Sequence, residues 1–356
     1  SDAYPRATVT GAVFMSALTT KSAVYILART FPGTPALIWA GAFMTCFPIF
    51  YAVIANDMRR VLAYSLINQV GFMICGIGIG TQLALNGVAA HAFCHIIYKA
   101  LLFMSAGVVI YRTGMSRCSD LGGLFRTMPL TTICGIIGAL AISSFPLTSG
   151  YTTKTLISVA AEQQGLAIVY FLLAAASAGV FLHAGIKFPW FVFFQKDSGM
   201  RPKDAPWNMA LAMIIFAAAC ILIGVWPEPL WALLPYEVTY EPYTAGKVLF
   251  YLQLLLFSGL AFFLLLPWMQ RTLTISLDTD WFWRVLAKRI VALLSRAAAR
   301  TGERVGRPLQ ERARRGQLWL GQQLSSSGTL GRTWQIGTTA LWISVLLSLY
   351  VLLYYL

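Results

Sequence analysis

Charge is scarce in this chain, and acid is scarcer than base. Only 11% of its 356 residues are charged while 58% are hydrophobic, whereas about a quarter of a soluble protein's residues carry charge. That balance excludes an ordinary water-soluble domain. The six cysteines (Cys46, Cys75, Cys94, Cys118, Cys134 and Cys220) form no CxxC pair and are scattered, five of them in apolar segments. Neither a zinc site nor an iron–sulfur cluster is supported, and they read as small packing residues. No signal peptide and no cofactor domain is recognisable, so no cofactor is implied. No Asp or Glu falls centrally in any long apolar run: Glu162 lies at the end of one and Asp57 in a loop. A sodium ion held by protein wants oxygen ligands, usually including carboxylate. The interior of this chain is instead a series of bases, which by itself suggests protons more strongly than metal cations.

What the chain does have is apolar length. Runs of roughly 20 apolar residues, enough to cross a bilayer, recur from end to end, and predict an all-α integral membrane protein. We place nine spans near residues 8–29, 34–55, 61–80, 84–111, 130–162, 167–194, 207–226, 247–268 and 336–356. The connections after residues 55 and 111 carry Arg59, Arg60, Arg112, Arg117 and Arg126. Those after 194 and 268 carry Lys196, Arg201, Lys203 and Arg271. The alternate connections are nearly free of Lys and Arg, and the long one, "WPEPLWALLPYEVTYEPYTAG", is acidic. Positive residues mark the cytoplasmic side, so the first set of loops is cytoplasmic and the C-terminus lies outside. This alternation holds only if 130–162 crosses once. The net charge of +14 is not a nucleic-acid signal: residues 271–332 hold 12 of the 27 Lys and Arg but 4 of the 13 acidic residues. Such a distribution suits an anionic membrane face. Within it, "WFWRVLAKRIVALLSRAAAR" sets apolar residues at helical spacing against a basic face, with Trp281 and Trp283 at one end, as in an amphipathic interfacial helix. A solvated basic linker is the alternative, especially beyond Thr301.

Two features stand out inside the spans. The run 130–162 is too long for one straight helix and contains "SSFPLTSGYTTK". Pro146 removes a backbone donor and Gly150 relaxes the backbone, so we expect a break near residues 144–150. Freed backbone groups must find partners in protein or trapped water, and broken helices cluster at transport sites; a plain proline kink is the alternative. The second feature is "HAFCHIIYKALLF", which puts His91, His95 and Lys99 four residues apart on one helical face. A charge at mid-bilayer costs about 2.5–3.5 kcal/mol even on lenient scales, so three such groups are not expected to face lipid. Such a stripe, with water between its members, can pass protons, although satisfied core residues in a helix bundle would give the same pattern. Lys21 lies mid-span in "FMSALTTKSAVYILART", and Lys154 follows the break, where the carbonyl end of the first half-helix would favour a cation. Lys187 has His183 one turn before it, with a lysine that snorkels to the cytoplasmic end as the alternative to a buried pair.

These residues resemble a known family. "NDMRRVLAYSLINQVGFM" is similar to the D-x-[KR]-R-x-L-A-Y-S-S-x-x-Q-x-G segment of antiporter-like membrane subunits, and "HAFCHIIYKALLFMSAG" to their H-x(3)-H-x(3)-K-A-x-L-F helix. "TTKSAVYILAR" resembles their K-x-x-x-Y helix, and "FPLTSGYTTKTLI" their P-P-L-x-G-F-x-x-K break. The family spans subunits of respiratory complex I, membrane-bound hydrogenases and Mrp-type sodium/proton antiporters. "FLHAGIKFPWFVFF", "WPEPLWALLPYEVTYEPYT" and Lys154 look most like the Mrp-type D component. Resemblance covers roughly residues 1–270; residues 271–332 and 333–356, a basic segment and a last span, resemble a lateral helix only loosely.

The resemblance implies fourteen core helices with two inverted five-helix repeats, of which this chain would hold the second, beginning just before the eighth helix. The chain starts at Ser1 in what reads like a loop, so it reads as a fragment lacking most of the first repeat and its Glu–Lys pair. Residue by residue, the resemblance makes Lys21 the central lysine, His91 and His95 holders of a water wire, Lys99 a core relay and Lys154 the terminal switching lysine. Ser65, Asn68 and Gln69 become candidates to line the same cavity, or merely to bond neighbouring helices. "S-F-P-L" in place of the double proline implies a softer break. The implied function is proton translocation in a multi-subunit sodium/proton antiporter of a bacterial inner membrane, with other membrane subunits as partners and no nucleic acid. A proton-pumping module of a redox complex and a non-conducting scaffold subunit remain alternatives; a carrier of organic solutes has no obvious polar pocket to support it.

Overall fold

The computed structural model describes residues 3–267, 282–325, 328, 331 and 336–355, without the side chains of 283, 284 and 300–309. It divides into two compact units, Ser1–Ser276 and Leu277–Leu356. The expected positions of Arg271 and Trp281, and the side chain of Trp283, lie outside the described residues.

The first unit is a helical bundle, and no strand occurs among the described residues beyond one isolated bridge between Asp57 and Arg117. We number its long helices α1 (Val9–Thr30), α2 (Pro35–Ile54), α3 (Met58–Ile79), α4 (Gln82–Thr113), α5 (Pro129–Ile142), α6 (Ser149–Gln163), α7 (Ala167–Phe194), α8 (Trp207–Val225) and α9 (Ala245–Leu265). In the second unit, α10 (Lys288–Leu324) follows a π-helical turn (Phe282–Ala287), and α11 is Ile336–Tyr355. Eight of these helices are long and apolar enough to cross a membrane. The ninth expected span is the pair α5 and α6. The chain is an all-α, multi-pass membrane protein.

Helix ends follow local chemistry. Asp57 caps α3, accepting Arg60 N–H at 3.0 Å, and Thr81 caps α4, accepting Ala84 N–H at 3.2 Å. Arg59 and Arg60 therefore sit in the first turn of α3 rather than in a loop. Asp204, from the loop before α8, caps α5 by accepting Leu130 N–H at 2.8 Å and Thr131 Oγ1 at 2.5 Å.

At the centre lies α4, packed against α1, α3, α5, α6 and α8. Its 32 residues extend about 48 Å at 1.5 Å per residue, well past a 30 Å hydrocarbon core. The tightest pairing is α2 with α3, where Gly41 and Gly71 let the two backbones touch; a Cβ on Gly71 would lie 2.6 Å from Thr45 N. By contrast α9 and α11 bury little or nothing within their units, as expected of helices facing lipid.

The expected break is present and complete. After Ile142 the chain leaves helical geometry, passes Ser144 (φ 62°) and Leu147 (φ 67°), and re-enters a helix at Ser149. Two non-glycine residues in the left-handed region store local strain. A single proline thus suffices to interrupt the helix here. The two half-helices overlap at Gly150: a Cβ there would collide with the carbonyl of Ala141, so the start of α6 lies against the last turn of α5.

Along α7 the α-helical ladder widens to π-helical pairing over Phe181–Lys187 and again over Trp190–Phe194. Pro189 lies between these stretches, where it has no N–H to give the preceding turn.

Candidate functional site

Four lysines and all three histidines of the chain are buried, and no Asp or Glu is buried among the described residues. Helix α4 brings His91, His95 and Lys99 inward on one stripe, each fully buried. Helix α3 supplies Ser65, Asn68 and Gln69 opposite, and α6 supplies Thr153 and Lys154.

His91 bridges the two flanking helices. Its Nδ1 is 3.0 Å from Thr153 Oγ1 on α6, and its Nε2 is 3.2 Å from Gln69 Oε1 on α3. Thr153 donates its own hydroxyl hydrogen to Ser149 O at 3.0 Å, leaving a lone pair for the ring. Gln69 Oε1 also accepts from Tyr98 O–H at 3.0 Å, and Gln69 Nε2 donates to Asn68 Oδ1 at 2.6 Å. An imidazolium at residue 91 would therefore find an acceptor for each of its two N–H groups. His95, one turn on, stacks edge-on against Tyr98 at 5.2 Å between ring centroids. Neither of its ring nitrogens has a hydrogen-bond partner among the described residues. Buried nitrogens of this kind are ordinarily satisfied by water.

Lys99 donates to Ser65 Oγ and lies 5.6 Å from the Phe103 ring centroid. Lys154 donates to Ile142 O at 2.7 Å, the last carbonyl of α5, and lies 4.9 Å from the Phe72 ring centroid. The broken helix thus turns its carbonyl end onto the ammonium that follows the break. Lys21 is placed differently. It bonds back to Ser16 O of its own helix at 2.5 Å, and no hydrogen bond among the described residues joins it to the cluster. It lines a cleft of about 540 Å³ between α1 and α4, together with Arg29, Ala92, Ile96 and Tyr236.

Lys187 departs from the snorkelling alternative. It is fully buried and donates to Val53 O at 2.7 Å, Ala55 O at 2.8 Å and Ala52 O. Those are the orphan carbonyls at the end of α2. Helix packing, not distance from the membrane surface, decides where its head goes.

Three sequence candidates prove to have distinct partners. Ser65 serves Lys99, Gln69 serves His91, and Asn68 Nδ2 reaches Thr45 O on α2. Thr153 and Tyr98 were not singled out in the sequence, yet both touch His91. The spacing held a signal for each: Tyr98 stands two helical turns after His91, and Thr153 adjoins Lys154.

Outside the spans, Asp197 lies 2.7 Å from Arg201 and 3.3 Å from Arg126. Its hydrogen bonds to Arg201 and to the Gly199 N–H hold its carboxyl well below the usual carboxylate range. On the opposite set of loops, burial pushes the Tyr240 phenol up to about 12.

Comparison with known proteins places the chain among membrane subunits. The chain is 31% identical over 246 residues to the L component of the F(420)H(2) dehydrogenase of Methanosarcina mazei, covering 63% of this chain and 36% of that protein. It is 33% identical over 230 residues to the D component of the Na(+)/H(+) antiporter of Alkalihalophilus pseudofirmus, covering 62% and 46%. The chain thus spans less than half the length of these relatives. Its fold matches a chain of the membrane-bound sulfane sulfur reductase, an archaeal respiratory membrane complex, with a TM-score of 0.62 at 24% identity, covering 98% of this chain and 64% of that one. Residues 1–182 match the transmembrane family described as NADH:quinone oxidoreductase/Mrp antiporter, and this chain is a member of that family.

Proposed function

We propose that this chain is the proton-translocating part of a multi-subunit sodium/proton antiporter of Mrp type, moving protons along Lys21, His91, His95, Lys99 and Lys154 through intervening water. The observation that carries the reading is the seat of Lys154. Its ammonium rests on the carbonyl end of a broken helix, beside Thr153, which bonds the His91 that heads the stripe running to Lys99. A proton on one of these bases disfavours a second charge nearby, so charge advances stepwise rather than accumulating. The likeness to the D component of an antiporter supports the assignment. Residues 1–270 form the translocation domain in this reading. Residues 271–332 form a basic segment on the cytoplasmic face, and 333–356 a last membrane crossing. The partners are other membrane subunits, protons, sodium and the lipid of a bacterial inner membrane.

A redox-driven proton module is the second reading. It is favoured by the likeness to a component of a dehydrogenase and by the 98% coverage in the match to the reductase chain. Neighbouring genes for iron–sulfur or flavin subunits would select it; a cluster of small membrane-protein genes would select the antiporter.

Both readings need Lys99. In the reconstituted complex, Lys99→Ala is expected to reduce proton movement, followed by dye quenching, by at least about 100-fold, with normal assembly. Undiminished quenching by an assembled Lys99→Ala complex would overturn the relay in either form.

A further inference from the structure

Two hollows on the flank of the bundle lie apart from the buried bases, and they meet. The first, of about 470 Å³, lies between α5, α7 and α9. Its walls are apolar: Ile136 and Leu140 of α5, Phe181 and Ile186 of α7, Leu256 and Leu260 of α9. Gly185 and Gly259 line it without side chains, and a Cβ on Gly259 would already lie 3.3 Å from Ile186 Cδ1. The second hollow, of about 890 Å³, lies at the end of the bundle that carries the arginines, between the loop after α4 and the ends of α7 and α9. Trp190 and Phe263 line both, with ring centroids 5.2 Å apart. One groove therefore runs past this aromatic pair from apolar walls to a polar mouth.

The mouth carries both signs of charge. Ser119, Asp120, Lys196 and Ser198 line it together. Asp197 lines it as well, but Arg126 and Arg201 already neutralise that carboxylate. Asp120 accepts the Ser119 hydroxyl at 2.9 Å, and neither Asp120 nor Lys196 forms an ion pair among the described residues. Below the mouth, the stretch of α7 from Phe194 back to Phe181 spans roughly 15–20 Å at up to 1.5 Å per residue. That is the depth of one leaflet of a hydrocarbon core about 30 Å thick. A tryptophan between the two parts suits the level of the lipid head groups. A ligand matching this groove has a long apolar body at leaflet depth and one charge of each sign at the surface, which is the make-up of a zwitterionic phospholipid.

We propose that this groove is a binding site for one phospholipid with a primary-ammonium head group. An acyl chain lies along Phe181, Ile186 and Leu256. The phosphate faces the Lys196 ammonium, and the head-group ammonium donates to the Asp120 carboxylate. A primary ammonium brings N–H donors to that carboxylate, and charge-assisted hydrogen bonds of this kind are the strong ones. A choline head has the same charge but no N–H to give, and a glycerol head has no cation for Asp120. The site therefore ranks an ethanolamine head above both. The inference does not depend on the proton relay or on what drives it.

The test uses the complete complex in phosphatidylcholine liposomes doped with phosphatidylethanolamine that carries a photoreactive diazirine on its acyl chain. After illumination, the labelled peptides are mapped by mass spectrometry. We expect adducts on α7 and α9, within residues 181–194 and 249–263. Unlabelled phosphatidylethanolamine should displace the probe at least about threefold better than phosphatidylcholine, a modest factor because both charged groups at the mouth are exposed. Asp120→Asn should erase that difference, whereas Lys196→Gln should weaken both lipids alike; both positions lie in exposed loops. Gly259→Leu, which fills the apolar slot, should lose the adducts. Adducts confined to other helices overturn the proposal, as does equal displacement by the two lipids or a preference that survives Asp120→Asn. Labelling of another subunit in place of α7 and α9 overturns it too, since the groove is then an interface between proteins.

Discussion

A lysine ammonium has three hydrogens to place, and the four buried lysines place them differently. Lys187 reaches three backbone carbonyls, whereas Lys21, Lys99 and Lys154 each make one hydrogen bond to protein. The first arrangement places all three hydrogens on protein, and the second leaves donors free for water or a neighbouring base. Lys187 is thus a clamp on the end of α2. Removing it takes the ammonium donor away from the carbonyls of Ala52, Val53 and Ala55 inside the bundle. Lys187→Ala is expected to destabilise the protein by about 3 kcal/mol, lowering the melting temperature in detergent by roughly 6–12 °C. Lys187→Met, which restores the stem but no donor, should fail to rescue it. Wild-type melting of Lys187→Ala would show the clamp to be dispensable.

At the scale of the element, the break between α5 and α6 is the feature that positions chemistry. It exists because Pro146 cannot donate and because the chain turns through left-handed backbone at Ser144 and Leu147. It stays compact because Gly150 has no side chain to hold the two halves apart. Gly150→Val would press a branched side chain onto the Ala141 carbonyl and push Ile142 O away from Lys154. Overpacking of this kind costs about 1–3 kcal/mol, so we expect a lower melting temperature together with impaired transport. A Gly150→Val complex that melts and transports like the wild type would mean that the overlap of the half-helices does not set the Lys154 seat. Helix α10 raises a different question: it is the most strongly amphipathic of the described helices, with Leu293, Leu294, Leu318 and Trp319 exposed. We propose that these apolar ends seat α10 in the membrane interface rather than leaving it a solvated linker.

On the scale of the whole molecule, the loops sort into two ends. One end is tied by Asn56 to Ser119 at 3.0 Å, by Gln195 to Leu121 O at 2.8 Å and by Arg112 to Asp204 O at 2.7 Å. The other is tied by Asn86 to Tyr236 O at 2.8 Å and by Tyr151 to Pro242 O at 3.0 Å. The first end carries Arg59, Arg112, Arg117, Arg126 and Arg201, so it is expected on the cytoplasmic side. In a cysteine-free background, a cysteine placed at Ser119 should react with an impermeant maleimide only from the cytoplasmic side. One placed at Thr239 should react only from outside. The reverse pattern would invert the orientation.

The number and order of the membrane helices, and the interruption at Pro146, were legible in the residues alone. Apolar length and missing backbone donors act locally, and neither depends on what lies across the bundle. The burial of His91, His95, Lys99 and Lys154 was legible for a related reason: a charge on one helical stripe among apolar neighbours has nowhere cheap to go but inward. Which groups meet was not legible. That Lys187 would grip a helix end 132–135 residues away in the chain, that Thr153 and Gln69 would face the two nitrogens of one imidazole, and that Lys21 would stand apart in its own cleft all depend on how the helices are rotated against one another. Periodicity states which face of a helix is turned inward; only the packed bundle decides what that face touches.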